Sequence, residues 1–292
     1  MTVPFASGDI FLAATDVDDR NVDLRNHAGP GRVLHYDHAL QLKCELFTGQ
    51  TGLVVGLAVD PTDRSLYACD PGSQTVTRFT ADGRCAGPVH FLPRARIGAM
   101  QFRSDGSFVA GLHSKIGEPP DAPAPRLYLG TPSMPMARGL AAEVDGGKFG
   151  FHCITHVAIG PDARTLYYVS EGGRRLMRFD LDAAVQLPDA LVLERADSRG
   201  TYGPAVRADG YVWMATGGGA VLLDPKGHIE SEITADVPKG WSRLTLALDG
   251  RSFYLGNFLE GLLQQRDAMT GALILTHDIH RKYSLSGVAE IP

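Results

Sequence analysis

THVAIGPDARTLYYVSEGGRRLMRFDLD, residues 155–182, decides the fold. A short apolar run, THVAI, leads into GPDA, a turn built around Asp162. The strand TLYYVS follows, then a second turn and a further strand, RLMRFD. Alternating β-branched, aromatic and aliphatic residues bounded by Gly, Pro and Asp read as short antiparallel strands rather than helix. The Asp turn with its following strand returns as PTDRSLYA at Asp63, RSDGSFVA at Asp105, RADGYVWMA at Asp209 and ALDGRSFYL at Asp249. Copies spaced roughly 40–57 residues apart, each with several short strands, are the signature of β-propeller blades.

Outward from this stretch, the chain divides into an all-β, six-bladed propeller of four-stranded blades, read as a single domain over residues 1–292. Blade 2 covers 52–91, blade 3 covers 96–150, blade 4 covers 154–194, blade 5 covers 202–236 and blade 6 covers 242–279. A Pro-rich insertion, IGEPPDAPAP at 116–125, accounts for the long interval in blade 3. The remaining blade is split. The N-terminal part, within 9–47, offers DIFLAATD, GRVLHYD and LQLKCELF with no strand before them. SLSGVAEIP at 284–292 is one strand with nothing after it. Joining them completes blade 1, and pairing the two terminal segments closes the ring without a long free edge. The repeated Asp residues need no function, because a carboxylate that bonds the backbone two residues on makes such turns.

Composition narrows the partners. With 44% hydrophobic residues the 292-residue chain can bury a full core, and a net charge of −5 disfavours nucleic acid and anionic membrane. No apolar run reaches the roughly 20 residues of a membrane helix, and MTVPFASGDI lacks a signal-peptide pattern. Cys44, Cys69, Cys85 and Cys153 have no CxxC spacing and read as inert thiols, so the expectation is a cytoplasmic protein with a small-molecule substrate. Its oligomeric state is not legible.

The blade 4 stretch and GPAVRADGYVWMATGGGAVLLDPKGHI in blade 5 resemble the senescence marker protein/gluconolactonase/luciferin-regenerating family. GLAVDPTDRSLYACD in blade 2 suits that family and the broader NHL-repeat propellers equally. The resemblance implies one divalent metal at the channel mouth, held by a Glu, an Asn and an Asp, which activates a lactone carbonyl or a water. Here Thr155 stands at the Asn position and Tyr202 at the Asp position. The Glu has no counterpart, since Glu290 lies too far along its strand. An Arg that the family uses near substrate falls on Arg96.

In a propeller, the starts of inner strands and the ends of second strands open on one face. Those positions supply Arg96, His152, Thr155, His156, Tyr202, Trp241, Arg243 and Tyr283, and Asp16, Asp70, His113, Glu171 and Asn257. Turn chemistry does not call for His, Arg, Trp or Tyr there, whereas ligand sites do. His113, His152 and His156 with Glu171 are candidates for a rebuilt metal site, against the alternative of hydrogen-bonded rim histidines. His156 and His152 are the candidate bases, and Tyr202 the candidate acid or oxyanion donor. Arg96, Arg243 and Lys282 are candidates for an anionic group, and Trp241 for stacking on a planar one. His113, Thr155, Glu171, Asn257 and Tyr283 complete the substrate-binding set. Asp16, Asp18 and Asp19 miss the calcium-loop pattern, GGG at 217–219 lacks a phosphate-loop context, and no GxSxG elbow occurs. Loops 17–30 and 114–150, the latter with Met134, Met136, Phe149 and Phe151, are candidate lids. The reading is a lactone or ester hydrolase with a rebuilt site. The alternatives are a lyase or isomerase using His and Tyr, and a non-catalytic binding propeller.

Overall fold

The structure, a computed structural model, describes residues 2–15, 29–113, 125–146, 152–194 and 199–292. The described residues form six antiparallel four-stranded sheets and no helix. The inner strands are Leu285–Glu290, Gly56–Val59, Ile97–Phe102, His156–Ile159, Pro204–Val206 and Trp241–Leu246, for blades 1 to 6. Each contacts the next, and blade 6 contacts blade 1, so the ring closes. Closure is made by the termini: Ile10 faces Glu290 and Leu12 faces Val288 in one antiparallel ladder. No helix among the described residues is long and apolar enough to cross a membrane.

Burial is greatest in the second strands and least in the fourth, and the sequence of each strand follows it. The second strands, such as Leu66–Asp70 and Val212–Ala215, are buried along their whole length because a blade packs on either face. Fourth strands are exposed, as in Ile229–Thr234, IESEIT. Between blades 5 and 6, Trp213 and Phe253 pack with ring centroids 4.9 Å apart, and the indole N–H of Trp213 donates to the Ala268 carbonyl. Burying a side chain of that size contributes about 4–6 kcal/mol of gross transfer free energy.

The repeated aspartates make the turns. Asp63 accepts from the backbone N–H of Ser65, Asp105 from Ser107, Asp162 from Arg164 and Thr165, Asp209 from Tyr211 and Asp249 from Arg251. Three of these turns place Gly at positive φ (Gly106, Gly210 and Gly250). In blades 2 and 4, Arg64 and Ala163 adopt it at 59° and 54°.

Candidate functional site at the channel mouth

Strand register puts the inner-strand starts and second-strand ends at one end of the channel. Gly56 faces Cys69, Ile97 faces Leu112, His156 faces Val169 and Trp241 faces Asn257. A cavity of about 50 Å³ lies on the axis and is lined from all six blades, with His156 and Arg243 as its chemically active side chains.

His156 is 4% exposed and its Nδ1 lies 2.9 Å from Thr155 Oγ1. The Thr155 hydroxyl donates to the Val169 carbonyl at 3.2 Å, so its oxygen accepts the Nδ1 proton. That hydrogen-bond assignment puts the proton on Nδ1 and the lone pair on Nε2. Burial, then the charge of Arg243 and then His113, hold this imidazole well below the ordinary histidine range. It is a neutral base at neutral pH.

Arg243, half-buried, reaches from blade 6 past blade 1 and donates through Nη2 to the Val55 carbonyl at the edge of blade 2. Its Nε is buried without a hydrogen-bond partner, and it has no contact ion pair among the described residues. Burial brings the guanidinium down to about 10, and the charge of Glu171 opposes that. Burial raises the Glu171 carboxyl, with Arg243 opposing. The Tyr202 hydroxyl is pushed up to about 12 by burial and by Glu171, so it stays a proton donor. The Cys69 thiol is likewise raised to about 12 by burial and stays protonated.

Arg243, Glu171, His156, His113 and Tyr202 are thus electrostatically linked around the cavity, with His113 packed over Gly98. Other candidates stand apart. His152 forms a bridge with Gly146 ahead of the inner strand, and its carbonyl accepts from Arg126. Arg96 lies at the start of blade 3, where its carbonyl accepts from the His113 N–H; it does not line the cavity. Trp241 is 0% exposed and donates to the Val237 carbonyl, which makes it core rather than a stacking surface. Asn257 ties two turns together, donating through Nδ2 to the Lys239 carbonyl ahead of the inner strand and accepting at Oδ1 from the Glu260 N–H in the turn that follows it. Tyr283 is 42% exposed, and Lys282 pairs with Glu260 on the surface at 2.7 Å. Met134 and Met136 are exposed. Asp16, Asp18, Asp19, Phe149 and Phe151 lie outside the described residues, as do 17–28 of the first candidate lid loop and 114–124 and 147–150 of the second. The described part of the second is no lid, since Leu127–Gly130 and Arg138–Leu140 are the third and fourth strands of blade 3.

Cys69, read from the sequence as an inert thiol, and Asp70, collected among the second-strand ends but given no role, are neighbours of this site. Asp70 is buried, with Oδ1 accepting from Gly72 and Ser73 and Oδ2 without a partner among the described residues. The available signal was position: both end the second strand of blade 2, in register with His113 and Glu171 at the ends of theirs.

The divalent ion that the resemblance implies does not fit these residues. The Thr155 hydroxyl is committed to His156 and Val169, Tyr202 remains protonated, and a guanidinium occupies the axis. His113, His152, His156 and Glu171 do not form a replacement: among the described residues no three His, Cys, Asp or Glu side chains are grouped to hold an ion.

Known proteins share this architecture. A sequence profile for the SMP-30/Gluconolactonase/LRE-like region matches residues 88–252, more than half of the chain. No curated protein matches significantly in sequence. A gluconolactonase from Xanthomonas campestris superposes with a TM-score of 0.59 at 20% identity, over 77% of this chain and 75% of that one. A chain of the nidogen/laminin complex gives 0.66 at 13% identity, over 96% and 97%. Virginiamycin B lyase from Staphylococcus aureus gives 0.56 at 12% identity, over 79% and 71%. At such identities these three likenesses concern the fold alone.

Proposed function

Because this chain belongs to the SMP-30/gluconolactonase/LRE-like family, we propose that it hydrolyses a lactone or ester at the channel mouth by acid–base chemistry of its own side chains. The observation that carries this reading is His156: a neutral imidazole with its Nδ1 proton held by Thr155, lining the axial cavity beside Arg243.

In this mechanism His156 Nε2 takes a proton from a water as the water oxygen attacks the carbonyl carbon. The oxyanion develops against the Tyr202 hydroxyl, with the positive charge of Arg243 nearby, in a site with little water to reorganise. When the tetrahedral intermediate collapses, the C–O bond to the leaving oxygen breaks. The imidazolium returns its proton to that oxygen, giving a hydroxy acid, or an acid and an alcohol. Thr155 keeps the ring in one tautomer, and Glu171 offsets part of the guanidinium charge.

The test is a panel of lactones and aryl esters assayed in chelator-treated buffer, with His156→Ala and Tyr202→Phe as variants. The expected result is turnover that survives chelation, falls at least about a hundredfold in His156→Ala, and falls about tenfold or more in Tyr202→Phe. Hydrolysis that stops on chelation, or persists unchanged in both folded variants, overturns the mechanism. Conversion without incorporation of oxygen from labelled water replaces hydrolysis with elimination or isomerisation at the same residues.

A further inference from the structure

Two other guanidiniums buried near the blade turns end on fixed partners. Arg266 Nε donates to Gln264 and its Nη1 to the Gly271 carbonyl, and Arg207 Nη1 donates to the Ala268 carbonyl. Arg64 and Arg103, like Arg243, leave a buried Nε without a partner among the described residues, so Arg243 is set apart by its place. It lies on the ring axis, is anchored through Nη2 on Val55 and, among the described residues, leaves Nε–H buried and unpaired and has no carboxylate at contact distance. A buried donor without a partner is costly to keep, and a planar, permanently charged fork is matched by a carboxylate. The cavity it lines, about 50 Å³, has room for such a group but not for the whole of a sugar-sized molecule. The rest of any ligand would extend toward the mouth, where His113, Glu171 and Tyr202 lie.

We infer that the axial cavity is a carboxylate-binding subsite built on Arg243, so that the molecule this protein acts on carries a carboxylate besides its scissile carbonyl. The statement about the substrate rests on the hydrolase reading; the binding of a carboxylate does not. Arg243 also supplies, as part of the chain, the positive charge that the family resemblance assigns to a metal. Glu171 is the group that competes with an incoming anion, since its carboxylate acts on Arg243 from the neighbouring rim without touching it.

The experiment is a calorimetric titration of the purified protein with acetate, and with acetamide as its uncharged isostere, at constant ionic strength. Arg243→Gln and Glu171→Gln are titrated alongside, after thermal denaturation shows each to be folded. Acetate should bind saturably and acetamide at least tenfold more weakly. Arg243→Gln should lose at least tenfold in acetate affinity, and Glu171→Gln should gain threefold or more. The gain in Glu171→Gln is the signature that a merely structural Arg243 would not produce, and it remains readable if Arg243→Gln fails to fold. Equal binding of acetate and acetamide, undiminished acetate binding in folded Arg243→Gln, or inorganic phosphate binding where acetate does not, overturns the subsite. Turnover of lactones without acetate binding keeps the hydrolase and overturns the subsite. Acetate binding without turnover of any lactone or ester keeps the subsite and overturns the hydrolase.

Discussion

Replacing His156 by Asn should flatten the acid limb of the stability curve. The imidazole is buried against Thr155, and its folded-state pKa lies well below the ordinary 6.5. The unfolded chain therefore takes up a proton as pH falls through 6.5 while the folded chain does not, so stability is lost on acidification. For one group that stays neutral in the folded state across the interval, the loss from pH 7 to pH 5 is about 2 kcal/mol. His156→Asn keeps a donor for Thr155 and removes the titrating group. Urea unfolding at both pH values gives the loss for each protein, and the wild type should lose about 2 kcal/mol more than the variant. His35, also buried and lowered, titrates in the same window, but it is common to both proteins and cancels in the difference. Equal losses would refute the reasoning, since they would mean that His156 is protonated as readily in the folded protein as in the unfolded chain. The same property keeps the base available. In the proposed hydrolysis, kcat/KM should stay flat from pH 8 to 6.5 and lose activity only at lower pH.

Two further predictions concern the frame that holds the site. Ala163 sits in the Asp162 turn with φ at 54°, where three sister turns use Gly, so Ala163→Gly should stabilise by about 0.5–1 kcal/mol in thermal denaturation; a loss of stability would show that backbone entropy outweighs the relieved strain. A Cβ on Gly56 would stand 2.4 Å from the Gly98 carbonyl oxygen of the next inner strand. Gly56→Ala should therefore cost about 1–3 kcal/mol in urea unfolding and disturb Val55, the anchor of Arg243, and a cost below 0.5 kcal/mol would show that the inner ring yields easily.

Much of the fold was legible because its determinants are local and repeated. The Asp turn is closed by a carboxylate two residues from its partner, and the second strands announce two-sided burial by their unbroken apolar runs. Even ring closure could be read, from a C-terminal strand with nothing after it and N-terminal strands with nothing before them. The rim residues could be collected by the same register argument, but their directions could not. Arg96 and Arg243 both stand near the start of an inner strand, yet only Arg243 lines the cavity. The ladder slips in both blades, between Ile97 and Ala99 and between Trp241 and Arg243, so that Arg96 stands ahead of its slip and Arg243 at its own. Such a bulge re-aims the side chains around it. Trp241 illustrates the same limit, since the position that looked like a stacking surface is closed over by its own blade and Val237.

The sequence by itself determined six blades, the face on which their strand ends collect, and the loss of the family's acidic and amide ligands at Thr155 and Tyr202. Only the tertiary structure decided that His156 and Arg243 share one cavity, that Thr155 fixes the imidazole tautomer, and that the guanidinium stands on the axis with an unpaired donor. The physical reason is that turns and burial are set by neighbours in the chain. Convergence on the axis depends instead on the angle between blades and on single-residue slips of register, and no local pattern records these.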